Sequence, residues 1–379
     1  MEFSISRDEF LRGVNIVDNV AVIRGSMPIL SHILIQTQGD KQIYLYGTDL
    51  ELGIKGGAEA QVESEGSICL SAKMMADILR ELPEGSLVHM CLEENSQVKI
   101  SCGKKCCHLA GLPAEEFPPF PTYEYENLIP IPRKSLRDMI TKINITVPLL
   151  EQKHLGAPNG ALLEIDQQTM EMMGTDGHRL SYIKKPLELE LSQKIKVILP
   201  KKSLVELKRI LDEAPNSNDP VLVGFFENQV VFKIGQIELF SRLLETYFPN
   251  IRPRIAKVND KIVQIRRQEF RQAVKMVSIF TEDREKYIRL NLNKDTLTIN
   301  SQSFGVGDAE DQVAVVYDGE PLEIGFNAGF ILDALNILDE EQIIMEMSDQ
   351  NSPGVIRSPD SRDYLYLMMP IKLYETDEF

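Results

Sequence analysis

Phe3-Ser-Ile-Ser-Arg-Asp-Glu-Phe10-Leu-Arg-Gly-Val14 sets the architecture, because the pattern returns twice. It recurs as Ile129-Pro-Ile-Pro-Arg-Lys-Ser-Leu136-Arg-Asp-Met-Ile140 and as Val263-Gln-Ile-Arg-Arg-Gln-Glu-Phe270-Arg-Gln-Ala-Val274. Each copy opens with apolar residues two apart, the period of a strand, and then changes to the spacing of a helix. The copies start 126 and 134 residues apart. A second motif keeps step with the first: Leu70-Ser-Ala-Lys-Met-Met-Ala-Asp-Ile-Leu79, Leu199-Pro-Lys-Lys-Ser-Leu-Val-Glu-Leu-Lys208 and Phe326-Asn-Ala-Gly-Phe-Ile-Leu-Asp-Ala-Leu335, at intervals of 129 and 127. Gly47-Thr-Asp49 is echoed by Gly174-Thr-Asp176 after 127 residues, and Phe117-Pro118 by Phe248-Pro249 after 131. Landmarks recurring in step predict three similar segments.

Between the helical stretches lie alternating or apolar runs with turn residues, such as the run from Ile33 to Gly56 and the run from Val221 to Leu244. These read as antiparallel strands. Each third of the chain is then two copies of strand, helix and several strands, an α+β fold with six helices over a strand-rich shell. A length of 379 residues agrees, since it exceeds what one hydrophobic core usually holds. Two stretches rich in proline, 113–128 and 247–261, read as connectors, because proline interrupts ladders and helices alike. The expected domains are 1–126, 127–256 and 257–379.

Composition narrows the class. With 43% hydrophobic and 26% charged residues the chain is of the ordinary globular kind. No run approaches the roughly 18 apolar residues of a membrane span, and the start, MEFSISRDEF, lacks a secretory plan. A cytoplasmic protein without membrane contact is expected. Five cysteines, Cys69, Cys91, Cys102, Cys106 and Cys107, are an odd number and poor material for a disulfide framework. The cluster from Cys102 to His108 invites a zinc reading, but its flanks read as strand, where neighbouring side chains point to opposite faces. No metal and no cofactor is expected.

Net charge is -16, which argues against a uniformly basic nucleic-acid coat. Its distribution is uneven. The windows Arg133 to Lys142, Lys201 to Arg209 and Arg266 to Lys275 each sum to +3, and the six predicted helices together carry +9, leaving -25 elsewhere. A charge run usually marks only a wet face. Recurrence in equivalent elements suggests instead one positive surface meeting a polyanion such as duplex DNA. No base-reading motif accompanies it, so phosphate contact without sequence preference is expected.

Catalytic motifs are sparse: the chain has no GxxxxGK[ST], no GxSxG and no HExxH. In Gly174-Thr-Asp176-Gly-His178-Arg179 a carboxylate and an imidazole stand two apart, which on a strand would share a face; the same residues also read as a turn. The apolar ending Tyr364-Leu-Tyr-Leu-Met-Met-Pro370-Ile-Lys-Leu373 is either a last core strand or, through Met368, Met369, Pro370 and Ile371, one wall of an adaptable groove.

The repeat, together with Arg24-Gly-Ser-Met-Pro-Ile-Leu30, Leu82-Pro-Glu-Gly85, Leu112-Pro-Ala-Glu-Glu-Phe-Pro118, Thr175-Asp-Gly-His-Arg-Leu180, Gly325-Phe-Asn327 and the Met-Pro-Ile-Lys-Leu373 ending, resembles the bacterial DNA polymerase III beta subunits, the sliding clamps, from Met1 to Leu373. The resemblance implies a non-enzymatic homodimeric ring of DNA-clamp domains, with helices lining the hole and antiparallel sheets outside. It implies duplex DNA, a replicative polymerase, a clamp loader and other proteins bearing short linear peptides as partners. DNA-facing residues would include Arg24, Lys73, Lys202, Arg209, Arg284 and Lys286. The peptide groove would be built from Thr175, Gly177, His178, Arg179, Leu180, Pro249, Phe330, Leu367, Met368, Met369, Pro370 and Ile371. At the dimer interface, Cys107 and Leu109 would meet Ile279 and Phe280, with Lys104 and Lys105 near the acidic run from Asp308 to Asp311. Three departures from the family pattern stand out: Cys107 in place of a bulky aromatic, Gly156-Ala157-Pro158 in place of a segment with an arginine, and Pro253-Arg254 where an arginine and an aliphatic are common. Two other classes remain on the residues alone: a peptide-binding scaffold without DNA, and an Asp176/His178 hydrolase.

Overall fold

The computed structural model describes residues 1–21, 27–123, 128–151, 156–187, 189, 194–213, 219–255, 259–281, 286–303 and 307–372. Arg24 and Arg284 lie outside the described residues, as does the end from Leu373 to Phe379. Among the described residues there are seven α-helices: α1 (Arg7–Asp18), α2 (Ala72–Glu81), α3 (Arg133–Asn144), α4 (Lys201–Glu213), α5 (Arg252–Ile255), α6 (Arg267–Val277) and α7 (Ala328–Ile337). None is long and apolar enough to cross a membrane. Five of the seven follow directly on a strand and α3 follows one after a single residue, as the repeat predicts. The exception, α5, falls in a stretch read as connector; proline at its second position costs a helix nothing, since that N–H has no partner there anyway.

Period and packing agree. The buried residues of α1 are Phe10, Gly13, Val14 and Val17; of α3, Leu136, Met139, Ile140 and Ile143; of α6, Phe270, Ala273, Val274 and Val277. All three sets follow one spacing, three, one and three, which is a single helical stripe. Burying each large apolar side chain is worth about 1.5–3 kcal/mol, so the stripe, more than intrinsic propensity, holds these short helices in place. Local caps finish two of the partner helices: Ser71 Oγ accepts from Met74 N at 3.4 Å, and Asn327 Oδ1 from Phe330 N at 3.3 Å.

An arginine near the start of the first helix of each segment closes the second helix. Arg7 donates to the carbonyls of Leu79 and Arg80 at the end of α2, and Arg133 to that of Leu211 in α4. Arg267 donates to the carbonyls of Leu335 in α7 and Glu340 just beyond it. Cations suit these sites, where unpaired carbonyls gather the negative end of the helix dipole.

By its contacts the chain divides into two compact units, residues 1–134 with 202–243, and residues 135–201 with 244–379. The first holds a five-stranded and an eight-stranded sheet, the second a twelve-stranded sheet, all with antiparallel ladders. Each large sheet contains a joint between distant parts of the sequence. In the first unit, Leu52–Glu59 pairs with Ile237–Arg242; in the second, Arg179–Pro186 pairs with Tyr364–Met368.

Candidate functional site

The joint in the second unit begins where strand Thr169–Thr175 passes under the end of α3. A Cβ on Gly174 would come within 2.8 Å of Val147 and 2.9 Å of Ile143, so only glycine lets helix and strand approach this closely. A tight turn follows. Asp176 Oδ1 accepts from the backbone N–H of His178 and of Arg179, both at 3.0 Å, while Thr175 Oγ1 donates to the Arg179 carbonyl at 2.8 Å and accepts from Gly177 N at 3.1 Å. Gly177 sits at φ +93°, a conformation that favours glycine. The turn sends the chain back along Tyr364–Met368, with Arg179 opposite Met368 and Leu180 opposite Leu367, and Met369 N donates to the His178 carbonyl at 2.8 Å.

Arg179 ties the joint together. Its Nε donates to Asp176 Oδ2 at 2.9 Å, and its Nη1 to Asp333 Oδ2 at 2.5 Å and to the Tyr366 hydroxyl at 3.2 Å. The guanidinium lies 4.4 Å from the ring centroid of Phe330. Nearby Lys201 is pushed down to about 8 by burial and then by the Arg179 charge; its ammonium donates to the Asn144 carbonyl.

Above the turn a crevice opens, lined by eight of the expected groove residues: Thr175, Gly177, His178, Arg179, Leu180, Leu367, Met368 and Met369. Its open volume is only about 20 Å³, room for about one water. An occupant has to displace side chains, and two methionines on the wall provide the needed compliance. Of the other four expected residues, Phe330 lies under Arg179, and Pro249 follows Phe248, which packs on the cluster containing Leu180 and Leu367. Pro370 is half-buried. Ile371 stands apart: its N–H donates to the Gly325 carbonyl at 2.9 Å and it lines a separate cavity of about 660 Å³ with Tyr287 and Arg289. Arg254 and Pro353, which were not expected, complete the crevice. The only sequence signal for Arg254 was its departure from the family pattern.

The geometry argues against the acid and base pair. Both Asp176 oxygens serve the turn and Arg179, and no hydrogen bond joins the Asp176 carboxylate to the exposed His178 side chain among the described residues. In the cysteine cluster, Cys106 and His108 share one exposed face of strand Lys105–Ala110 and Cys107 the other, as the strand reading requires.

The same turn recurs in the first unit. Asp49 Oδ1 accepts from Glu51 N at 3.1 Å and Leu52 N at 2.8 Å, Thr48 Oγ1 donates to the Leu52 carbonyl at 3.0 Å, and Arg242 N donates to the Glu51 carbonyl at 2.9 Å. Leu50 takes the place of Gly177, at φ +77°. Gly53 takes that of Leu180, and Phe120 fills the space so left, with its ring 3.1 Å from where a Cβ would stand.

The cations need correcting. Helix α4 continues past Arg209 through Asp212 and Glu213, so it carries +1 rather than +3, and the six helices in their observed bounds total +4 rather than +9. All four α4 cations are engaged: Lys201 as above, Lys202 with Asp49, Lys208 with Asp212 at 2.5 Å, and Arg209 with Glu206 and Glu213, both at 2.9 Å. Arg209 also donates to the Ile16 carbonyl at 2.8 Å. Lys73 and Lys286 are exposed.

Of the expected interface residues, Cys107 and Leu109 are half-buried on one face of an edge strand, with Lys104 exposed in the turn before it. Burial pushes the Cys107 thiol up, and Cys106 adds to this. Ile279 is 71% exposed. Phe280 is half-buried and lies against Gly307.

Comparison with known proteins gives this geometry a setting. Family models described as the N-terminal, central and C-terminal domains of the DNA polymerase III beta subunit match residues 1–121, 130–250 and 254–372 in turn. The beta sliding clamp of Vibrio cholerae is 30% identical over 374 residues, covering 98% of this chain and all of the relative; that of Escherichia coli is 29% identical over the same length. Among solved structures, a Pseudomonas aeruginosa sliding clamp bound to griselimycin superposes with a TM-score of 0.92 at 30% identity, covering 98% of this chain and all of that one. A Bacillus subtilis sliding clamp gives 0.92 at 27%, covering 99% and 100%. A chain matched in this way from end to end belongs to the DNA polymerase III beta subunit family, the bacterial sliding clamps.

Proposed function

We propose that this chain works as a DNA sliding clamp: a homodimer that closes into a ring around duplex DNA and tethers the replicative polymerase, the clamp loader and other DNA-processing proteins through short linear peptides. The observation that carries the reading is the end-to-end likeness in sequence and fold to solved clamps. Like its family, the chain is a non-catalytic subunit. Its three domains are taken as 1–126, 127–256 and 257–379, and its place as the cytoplasm.

Two open sheet edges support the dimer. Strand Lys105–Ala110 is the last of its sheet, flanked by Lys104. Strand Gly307–Val316 pairs with Lys261–Arg266 only at Val315 and Val316, leaving an acidic stretch with Asp308, Glu310 and Asp311 unpaired on one side among the described residues. Unpaired edges of opposite charge favour strand addition between two copies. Ile279, so exposed, gains by being covered. One such contact made twice, head to tail, closes a ring.

DNA contact in this reading is light. With Lys202 and Arg209 already compensated, Lys73 and Lys286 are left as the candidate phosphate contacts, joined by Arg24 and Arg284, and enclosure rather than grip keeps the ring on DNA. Phosphate contacts carry no base information and so permit sliding. A tethered peptide gains effective concentration, which turns a modest contact into a durable one.

Sedimentation of the purified chain tests the assembly. A species of twice 42.9 kDa is expected at micromolar concentration, and Ile279→Asp should shift it to the monomer. A wild-type monomer under those conditions contradicts the ring.

A further inference from the structure

We infer that Arg254 makes the crevice selective for linear peptides that carry a carboxylate beside their apolar anchors. The inference rests on the reading of the crevice as the peptide groove and adds the chemical class of its ligand.

Arg254 lines the crevice, is exposed, and makes no ion pair among the described residues. The carboxylates around the turn cannot serve it: Asp176 and Asp333 are both bound to Arg179. Of the other lining residues, Leu180, Leu367, Met368, Met369 and Pro353 are apolar, while Thr175 and His178 are polar and Arg179 is held by its own carboxylates. An incoming peptide therefore meets, beside a largely apolar lining, one arginine with no carboxylate partner among the described residues, although the chain as a whole is acidic.

The backbone that presents this charge is fixed. Two residues earlier, Arg252 bridges Glu164 at 2.5 Å and Glu171 at 2.8 Å. Burial opposes the charge of Glu164, but Lys194 and Arg252 overcome it and hold the carboxyl below its ordinary value. On the other side Ile251, 5% exposed, is seated in the cluster that includes Leu180 and Leu367. Its carbonyl accepts from Arg254 N at 3.0 Å and Ile255 N at 3.2 Å. Anchored at both points, α5 holds the Arg254 backbone at the crevice before any peptide arrives, which lowers the ordering cost of a charge contact.

The test uses the full chain and labelled hexapeptides that contain a Leu-Phe pair, with a single Asp placed at each remaining position in turn. Each has an Asn twin and a Lys twin. By fluorescence anisotropy at low salt, at least one Asp peptide should bind roughly three- to fivefold tighter than its Asn twin, the range of a partly exposed ion pair. The preference should shrink at high salt, vanish in Arg254→Val, and turn toward the Lys twin in Arg254→Glu. Equal binding of every Asp and Asn pair by the wild-type chain would overturn the charge selectivity while leaving the groove in place. If no peptide of any series binds, the groove reading itself falls, and the inference with it.

Discussion

Replacing Arg179 by alanine should loosen the joint in the second unit. The side chain is 14% exposed, and its removal leaves Asp176, 18% exposed, without its countercharge and without a partner for Oδ2, and takes a donor from the hydroxyl of fully buried Tyr366. Hydrogen bonds to charged groups contribute about 1.5–3 kcal/mol each, and leaving a buried charge without its partner costs about 3–5 kcal/mol. Asp333, at 45% exposure, regains water and adds little. The balance is a loss of about 3 kcal/mol, which corresponds to local opening about a hundredfold more often. Arg179→Lys keeps a charge but not the fork that reaches three acceptors, so about half the loss should remain. Native-state amide exchange along Arg179–Pro186 and Tyr364–Met368 reads this directly, without assuming that two units unfold together. Exchange in Arg179→Ala within threefold of wild type would refute the assignment of the joint to this residue.

Two further outcomes follow from single residues. Leu50 and Gly177 hold equivalent left-handed positions, at φ +77° and +93°. Leu50→Gly should therefore stabilise by about 0.5 kcal/mol and Gly177→Ala destabilise by about 1–2 kcal/mol; thermal shifts of the same sign would contradict this. Lys201, at about 8 when folded against an ordinary 10.5, leaves the unfolded chain with the extra proton between those values, so its contribution makes stability rise with pH through that window. Allowing for partial exposure, Lys201→Met should remove about 1 kcal/mol of that rise, measured by denaturation at both ends of the window; an equal rise in the variant would exclude Lys201 as its source.

What was legible in the sequence is what repeats along it. Phe10, Val14 and Val17 recur as Leu136, Ile140 and Ile143, and as Phe270, Val274 and Val277, because a helix on a sheet must renew its apolar stripe at a fixed period. The turn at Thr175 to Leu180 was legible as a motif, since its aspartate and glycine are fixed by local backbone geometry. Partners distant in sequence were not. Nothing in the spacing joins Lys202 to Asp49, or Arg7, Arg133 and Arg267 to the ends of the helices they close, so charges counted as free were already engaged. Stopping a window at Arg209 also hid Asp212 and Glu213, one turn further on. Ile371 follows Met368, Met369 and Pro370 in sequence but lines a different cavity from the crevice, and its backbone bond to Gly325 is a partner distant in sequence that spacing does not reveal.

Enclosure is most directly tested by loading the protein on nicked circular duplex and following its retention after a single linearising cut. A topological link predicts stable retention on the circle at moderate salt and rapid loss from the free ends once the circle is opened. Equal retention on the two forms would mean that the protein holds DNA by surface contact, and the ring would have to be abandoned.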